Sequence, residues 1–165
     1  MEFPASSTNI EAGTKSAEPT FFVVCEDWAT GFRAKYFIDD ICHRLGSGTT
    51  INRNYWRLSL LRTERLRERA AAEAGEANAI VLALDKRTGI PDDVQKWVER
   101  VLDGGQRPGL IGMVQEELIE NDPPDVLVDY MHKVATQAGA VFFCWNELNE
   151  CSLEKVISNL ENLKS

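Results

Sequence analysis

Apolar and polar positions along this chain come in blocks. Four short runs, Phe21 to Cys25, Ala79 to Leu84, Leu110 to Val114 and Ala140 to Trp145, are apolar throughout. A run without polar alternation is covered on both faces, which marks a strand of a parallel sheet between two helix layers. A fifth stretch, Thr50 to Leu60 (TINRNYWRLSL), is far more polar and predicts a strand at the sheet edge.

Between these runs the period changes to three and four residues. Ala34, Phe37, Ile38, Ile41 and Leu45 form one stripe that stops near Gly46 and Gly48, residues that readily supply a left-handed helix end. Thr63 to Ala77 is rich in alanine, glutamate and arginine, all strong helix formers. Val94, Trp97, Val98, Val101 and Leu102 predict a third helix with Pro91 in its first turn, closed by Gly104 and Gly105. A fourth is expected to open at Asp122 and Pro123 and to bury Val126, Tyr130 and Val134. Ser152 is the expected cap of a fifth, whose stripe is Leu153, Val156, Ile157, Leu160 and Leu163.

Five strands alternating with five helices predict an α/β fold, a three-layer α/β/α sandwich around a five-stranded parallel sheet. With the polar second strand at an edge, the order 2-1-3-4-5 lets right-handed crossovers cover both faces. Residues 1–19 carry little to bury and read as a disordered tail, which leaves 20–165 as one domain.

Charge narrows the partners. The 165 residues carry a net charge of -8, a field that repels nucleic acid and anionic membranes, so neither is expected as a partner. Six arginines between Arg53 and Arg69 offer either a basic patch for an acidic protein or a solvated face paired with Glu64, Glu68 and Glu73. Cys25, Cys42, Cys144 and Cys151 lack CxxC spacing and do not cluster with His43 and His132, which argues against zinc and fits reduced thiols in a cytoplasmic protein. No apolar run reaches the ~18 residues of a membrane span, and the N-terminal residues lack the basic-then-apolar order of a signal peptide. Ser59, Ser152 and the histidines show no nucleophile-elbow pattern.

In an open parallel sheet, ligands bind in the crevice outside the carboxyl ends of the strands. Those ends read Glu26 and Asp27, then Asp85, then Gln115 and Glu116, then Trp145 and Asn146. The acidic pair also has a purely structural reading, since carboxylates after a strand cap the following helix.

At these residues the chain resembles the receiver domains of bacterial response regulators. VVCEDWATGFRAKYFI is similar to their first strand, acidic pair and first helix, VLALD ends where their phospho-acceptor stands, and QAGAVFFCWNELNECSLEKVISNL is similar to their last strand and closing helix. The resemblance implies a flavodoxin-like order, Mg2+ held by Glu26, Asp27 and Asp85, and phosphorylation of Asp85. It also implies a protein partner on the face that carries Tyr130 and Trp145. The chain departs from the family where a Ser or Thr and a Lys are expected, at Gln115 and Asn146, so a degenerate receiver acting by contact is expected. A second resemblance is to flavodoxin-like FMN proteins: ATGFRA is similar to their phosphate loop and TGIPDDVQKWVERVL to a segment after their third strand. It implies FMN at Thr30 and Gly31.

Overall fold

The computed structural model describes residues 18–46, 48, 50–84, 91–104, 108–114, 126–145 and 151–163. The elements are β1 (Thr20–Cys25), α1 (Trp28–Leu45), β2 (Asn52–Arg57), a 3-10 turn (Leu58–Arg62), α2 (Glu64–Gly75) and β3 (Ala79–Ala83). Then follow α3 (Asp92–Asp103), β4 (Leu110–Val114), α4 (Val126–Ala138), β5 (Val141–Trp145) and α5 (Cys151–Leu163). Every strand pair is parallel and the order is β2-β1-β3-β4-β5, the flavodoxin-like arrangement that the block pattern predicts.

The sheet divides the core into two layers. Phe21, Val23, Val81 and Phe143 point to one face, where α1 brings Phe37, Ile38 and Ile41 and α5 brings Val156 and Leu160. Phe22, Val24, Ile80, Leu82 and Met113 point to the other, against Ala70 and Ala74 of α2, Trp97 and Val98 of α3, and Met131 and Ala135 of α4. The alternation of side-chain direction along each strand sorts neighbours in sequence into opposite layers. In the first layer Phe37 and Phe143 stack with ring centroids 5.3 Å apart. Gly112 makes room for that pair, because a Cβ there would lie 2.1 Å from the Phe143 ring.

Several boundaries differ from the sequence reading. The edge strand ends at Arg57; Leu58 and Leu61 instead turn into the 3-10 segment and bury themselves in the second layer. Ser152 lies inside α5, which begins at Cys151, and Pro91 is the N-cap of α3. Val134 is buried as expected, Tyr130 is only half-buried, and Met131 and Ala135 join Val134 in the core; the Val126 side chain lies outside the described residues. The expected opening of that helix at Asp122 and Pro123 lies outside the described residues. At the sheet edge, the carbonyl of Pro19 accepts a hydrogen bond from the Asn52 amide at 2.8 Å, and the Thr50 hydroxyl donates to Glu18 at 2.8 Å.

The arginine-rich stretch is stitched to carboxylates. Arg69 pairs with Glu73 within α2, while Arg53 reaches Asp39 of α1 at 2.7 Å and Arg67 reaches Asp93 of α3 at 3.1 Å. α1 itself ends on Gly46 at φ 106, a left-handed value suited to glycine.

Candidate functional site

The carboxyl ends of the strands fall on one rung. Cys25 of β1 lies opposite Arg57 of β2 on one side and Ala83 of β3 on the other; Ala83 pairs with Val114 and Val114 with Trp145. Directly beyond this rung the chain turns in two residues, Glu26 and Asp27, and α1 begins at Trp28.

That turn is closed by its own side chains. Asp27 is the N-cap of α1, and its Oδ1 accepts the Thr30 amide at 2.9 Å. The Thr30 hydroxyl accepts the amides of Glu26 at 2.9 Å and Asp27 at 3.0 Å and donates to the Asp27 carbonyl at 3.1 Å. The Gly31 amide bonds the same carbonyl at 3.0 Å, and the Glu26 amide also reaches the Ala83 carbonyl of β3 at 3.3 Å. Thr30 is 3% exposed and is the one buried polar residue among the described residues. A cap of this kind contributes about 1 kcal/mol. It consumes the amides of Glu26, Asp27, Thr30 and Gly31, leaving those of Trp28 and Ala29 in the first turn beside a carboxylate.

The surroundings of Cys25 follow from this position. Burial pushes its thiol up from the ordinary value; Arg57 pulls the other way and Asp27 adds to the rise. Its Sγ donates weakly to the Trp56 carbonyl at 3.8 Å. A buried, protonated thiol is a small hydrophobe, not a nucleophile.

Both proposed ligands can be tested against these residues. A flavin phosphate needs free amides in a small-residue loop, but Thr30 and Gly31 stand inside the first helical turn with their amides engaged. The Asp27 carboxylate lies at the helix start where an anion would sit, so the described residues of this turn do not fit the phosphate of FMN. Mg2+ requires near-octahedral oxygen ligands. Asp27 spends Oδ1 on the cap, Asp85 lies outside the described residues, and no described group of three or more His, Cys, Asp or Glu is placed to hold a metal.

The two residues expected on a partner face are placed differently. The Tyr130 hydroxyl donates to Glu99 of α3 at 2.5 Å. Burial, then this bond and the negative charge of Glu99, push its pKa far up. Tyr130 and Glu99 line a cavity of ≈ 420 Å³ between α3 and α4. A larger groove of ≈ 890 Å³ between α2 and α3 is lined by Gly75, Glu76, Asp103 and Gly104. Those residues end the two helices, and Glu68, Ala72, Lys96 and Arg100 continue the lining back along the seam between them. Trp145 closes β5, and its side chain lies outside the described residues, as do Gln115, Glu116 and Asn146.

Sequence reading singles out Trp28 as a strand-end aromatic that could stack on a flavin or face a partner, but misses the exposed Phe32 and Tyr36 that follow it. Trp28, Phe32 and Tyr36 are 58%, 49% and 61% exposed, one turn apart along α1. Their four-residue spacing is visible in the sequence, but it was overshadowed by the longer stripe from Ala34 to Leu45 on the opposite face.

No protein-family model and no curated protein matches the chain. Solved structures do. A flavodoxin of Streptococcus pneumoniae TIGR4 aligns with a TM-score of 0.51 at 18% identity, over 87% of this chain and 97% of its own. A short-chain flavodoxin associated with a PDU bacterial microcompartment aligns with a TM-score of 0.54 at 14% identity, over 89% and 99%. At such identities the likeness shows the flavodoxin-like fold. The receiver resemblance rests on the sequence segments alone. No helix among the described residues is long and apolar enough to cross a membrane.

Proposed function

We propose that this chain uses a flavodoxin-like scaffold as a regulatory module that works through protein contacts and does not carry a flavin. The observation behind the reading is the capping box at the end of β1. Asp27 and Thr30 engage the amides of Glu26, Asp27 and Thr30 in the turn that a nucleotide phosphate would need and place a negative charge at the start of α1. The exposed aromatic residues of α1 next to that turn supply contact area of the kind that protein interfaces favour.

A second reading, an FMN-binding oxidoreductase, is favoured by the likeness to two flavodoxins along nearly their whole length. One titration separates the two. Flavin fluorescence is followed as the protein is added to FMN, with the Asp27→Ser variant in parallel. The expected result is no saturable quench for the wild type into the millimolar range. A quench saturating at micromolar protein, about 8 kcal/mol of binding, overturns the contact reading in favour of the flavin one.

A further inference from the structure

The sheet has two edges, and the chain protects them differently. β2 closes one edge with Asn52, Arg53, Asn54 and Arg57 among its residues, polar and charged side chains that discourage pairing with a further strand. β5 closes the other with Val141, Phe142, Phe143, Cys144 and Trp145, which carry no charge. An uncharged run of such high strand propensity is a template for strand addition.

The direction of its backbone groups follows from the ladder. Among the described residues β5 pairs with β4 alone. The Val141 amide donates to the Gly109 carbonyl at 2.8 Å, so Val141 turns its backbone toward β4, and Phe143 does the same two residues on. Alternate residues of a strand turn theirs the opposite way, so the amide and carbonyl of Phe142 face outward from the sheet. Lys155, exposed on α5, meets them there: its Nζ donates to the Phe142 carbonyl at 3.3 Å. The Phe142 ring packs with the α4 layer, and the His132 ring lies over it with centroids 5.3 Å apart. Lys155 thus reaches across from the α5 side and sets an ammonium on the line along which a sixth strand would add.

We infer that Lys155 guards the β5 edge, and that removing its ammonium opens this edge to β5 of a second copy. An added strand must either strip the ammonium of its carbonyl or bury it, and a buried charge without a partner costs more than a backbone hydrogen bond contributes. Once the ammonium is gone, the strand that fits is β5 itself. It is uncharged, it presents the same outward groups, and an antiparallel pair about a two-fold axis satisfies both copies at once. The joined sheet then ends in β2 on both sides, where Arg53 and Arg57 stop further growth, so the product is a closed dimer and not a fibre. The net charge of -8 on each copy opposes association until salt screens it. The inference goes beyond the contact reading and does not depend on it, because the turn at Asp27 takes no part.

Sedimentation velocity over a dilution series at high salt tests it, with hydrogen exchange of the Phe142 amide as a local readout. Lys155→Met keeps the side-chain length and a good helix former at an exposed position, so its circular dichroism should match the wild type. It is expected to dimerise at least about tenfold more tightly than the wild type, with Phe142 exchange slowing as the protein is concentrated. Lys155→Arg, which keeps the charge and the donor, should sediment like the wild type. So should Lys133→Met, the same loss of charge at an exposed position of α4. A Lys155→Met variant that associates no more tightly than the wild type overturns the proposal. So does association that leaves Phe142 exchange unchanged, since the contact then lies elsewhere, or an equal gain in Lys133→Met, which would make overall charge the cause.

Discussion

At the residue scale, Gly112 shows how one missing side chain positions a core. In a strand interior glycine ordinarily costs about 0.5 to 1 kcal/mol relative to alanine, so Gly→Ala would be stabilising on propensity alone. Here a Cβ would stand 2.1 Å from Phe143, a ring already stacked on Phe37, and steric overlap decides the sign. Gly112→Ala is expected to destabilise by about 1 to 3 kcal/mol, read from the urea midpoint, and to cost markedly less in a Phe143→Leu background. An equal cost in both backgrounds would locate the strain elsewhere. The sequence shows Gly112 only as a small gap in an apolar run, because its need depends on a ring one strand away. Asp27 and Thr30 were more legible. Their spacing of three before an apolar stripe is a helix-start signal, and the acidic pair suits either a ligand set or a cap; the structure uses Asp27 as a cap.

At the element scale, α1 is tied to the edge strand by Asp39, which accepts from Lys35 in its own helix and from Arg53 of β2. Partial burial raises the Asp39 pKa, but the bonds and charges of the two cations outweigh it and hold the carboxyl below its ordinary value. A carboxylate with a lowered folded pKa stabilises fully above its unfolded value, ordinarily 3.8, and loses that contribution as the pH falls through the folded one. Asp39→Asn should therefore reduce stability at neutral pH by about 1 kcal/mol or less, since the pair is well exposed to water. The difference from the wild type should shrink in urea titrations as the pH falls below 3.8. A gap that persists in acid would mean that the side chain acts through shape instead. The strands themselves were legible to within a residue or two, because unbroken apolar runs report two-sided burial directly. The edge strand was not: Leu58 and Leu61 follow it in sequence, yet they leave the ladder to fill the space beneath α2, which local pattern does not encode. Tyr130 misled for a related reason, since an amphipathic side chain fits a helical stripe while its hydroxyl reaches Glu99 on the neighbouring helix.

At the scale of the whole molecule, one sheet serves two separate hydrophobic layers. The sequence predicts that helices cover both faces. Which helix joins which layer follows from crossover handedness and strand order, so α1 and α5 share one face while α2, α3 and α4 share the other. Among the described residues the layers lie on opposite sides of the strand backbone, and adjacent strand residues such as Ile80 and Val81 belong to different ones. Two opposite expectations follow: layers that melt separately, or a shared sheet that makes them one cooperative unit. The sheet should win, since every strand supplies hydrogen bonds that neither layer can lose alone. Ile38→Val in one layer and Ile80→Val in the other are each expected to cost about 0.5 to 1.5 kcal/mol. Having no shared neighbours in their clusters, they should add to within about 0.5 kcal/mol in the double variant. Far-ultraviolet dichroism and tryptophan fluorescence, the latter including Trp56 and Trp97 of the α2 and α3 layer, should trace one coincident transition in urea. If fluorescence moved ahead of dichroism in the Ile80→Val variant alone, the second layer would be opening by itself and the chain would not be a single cooperative domain.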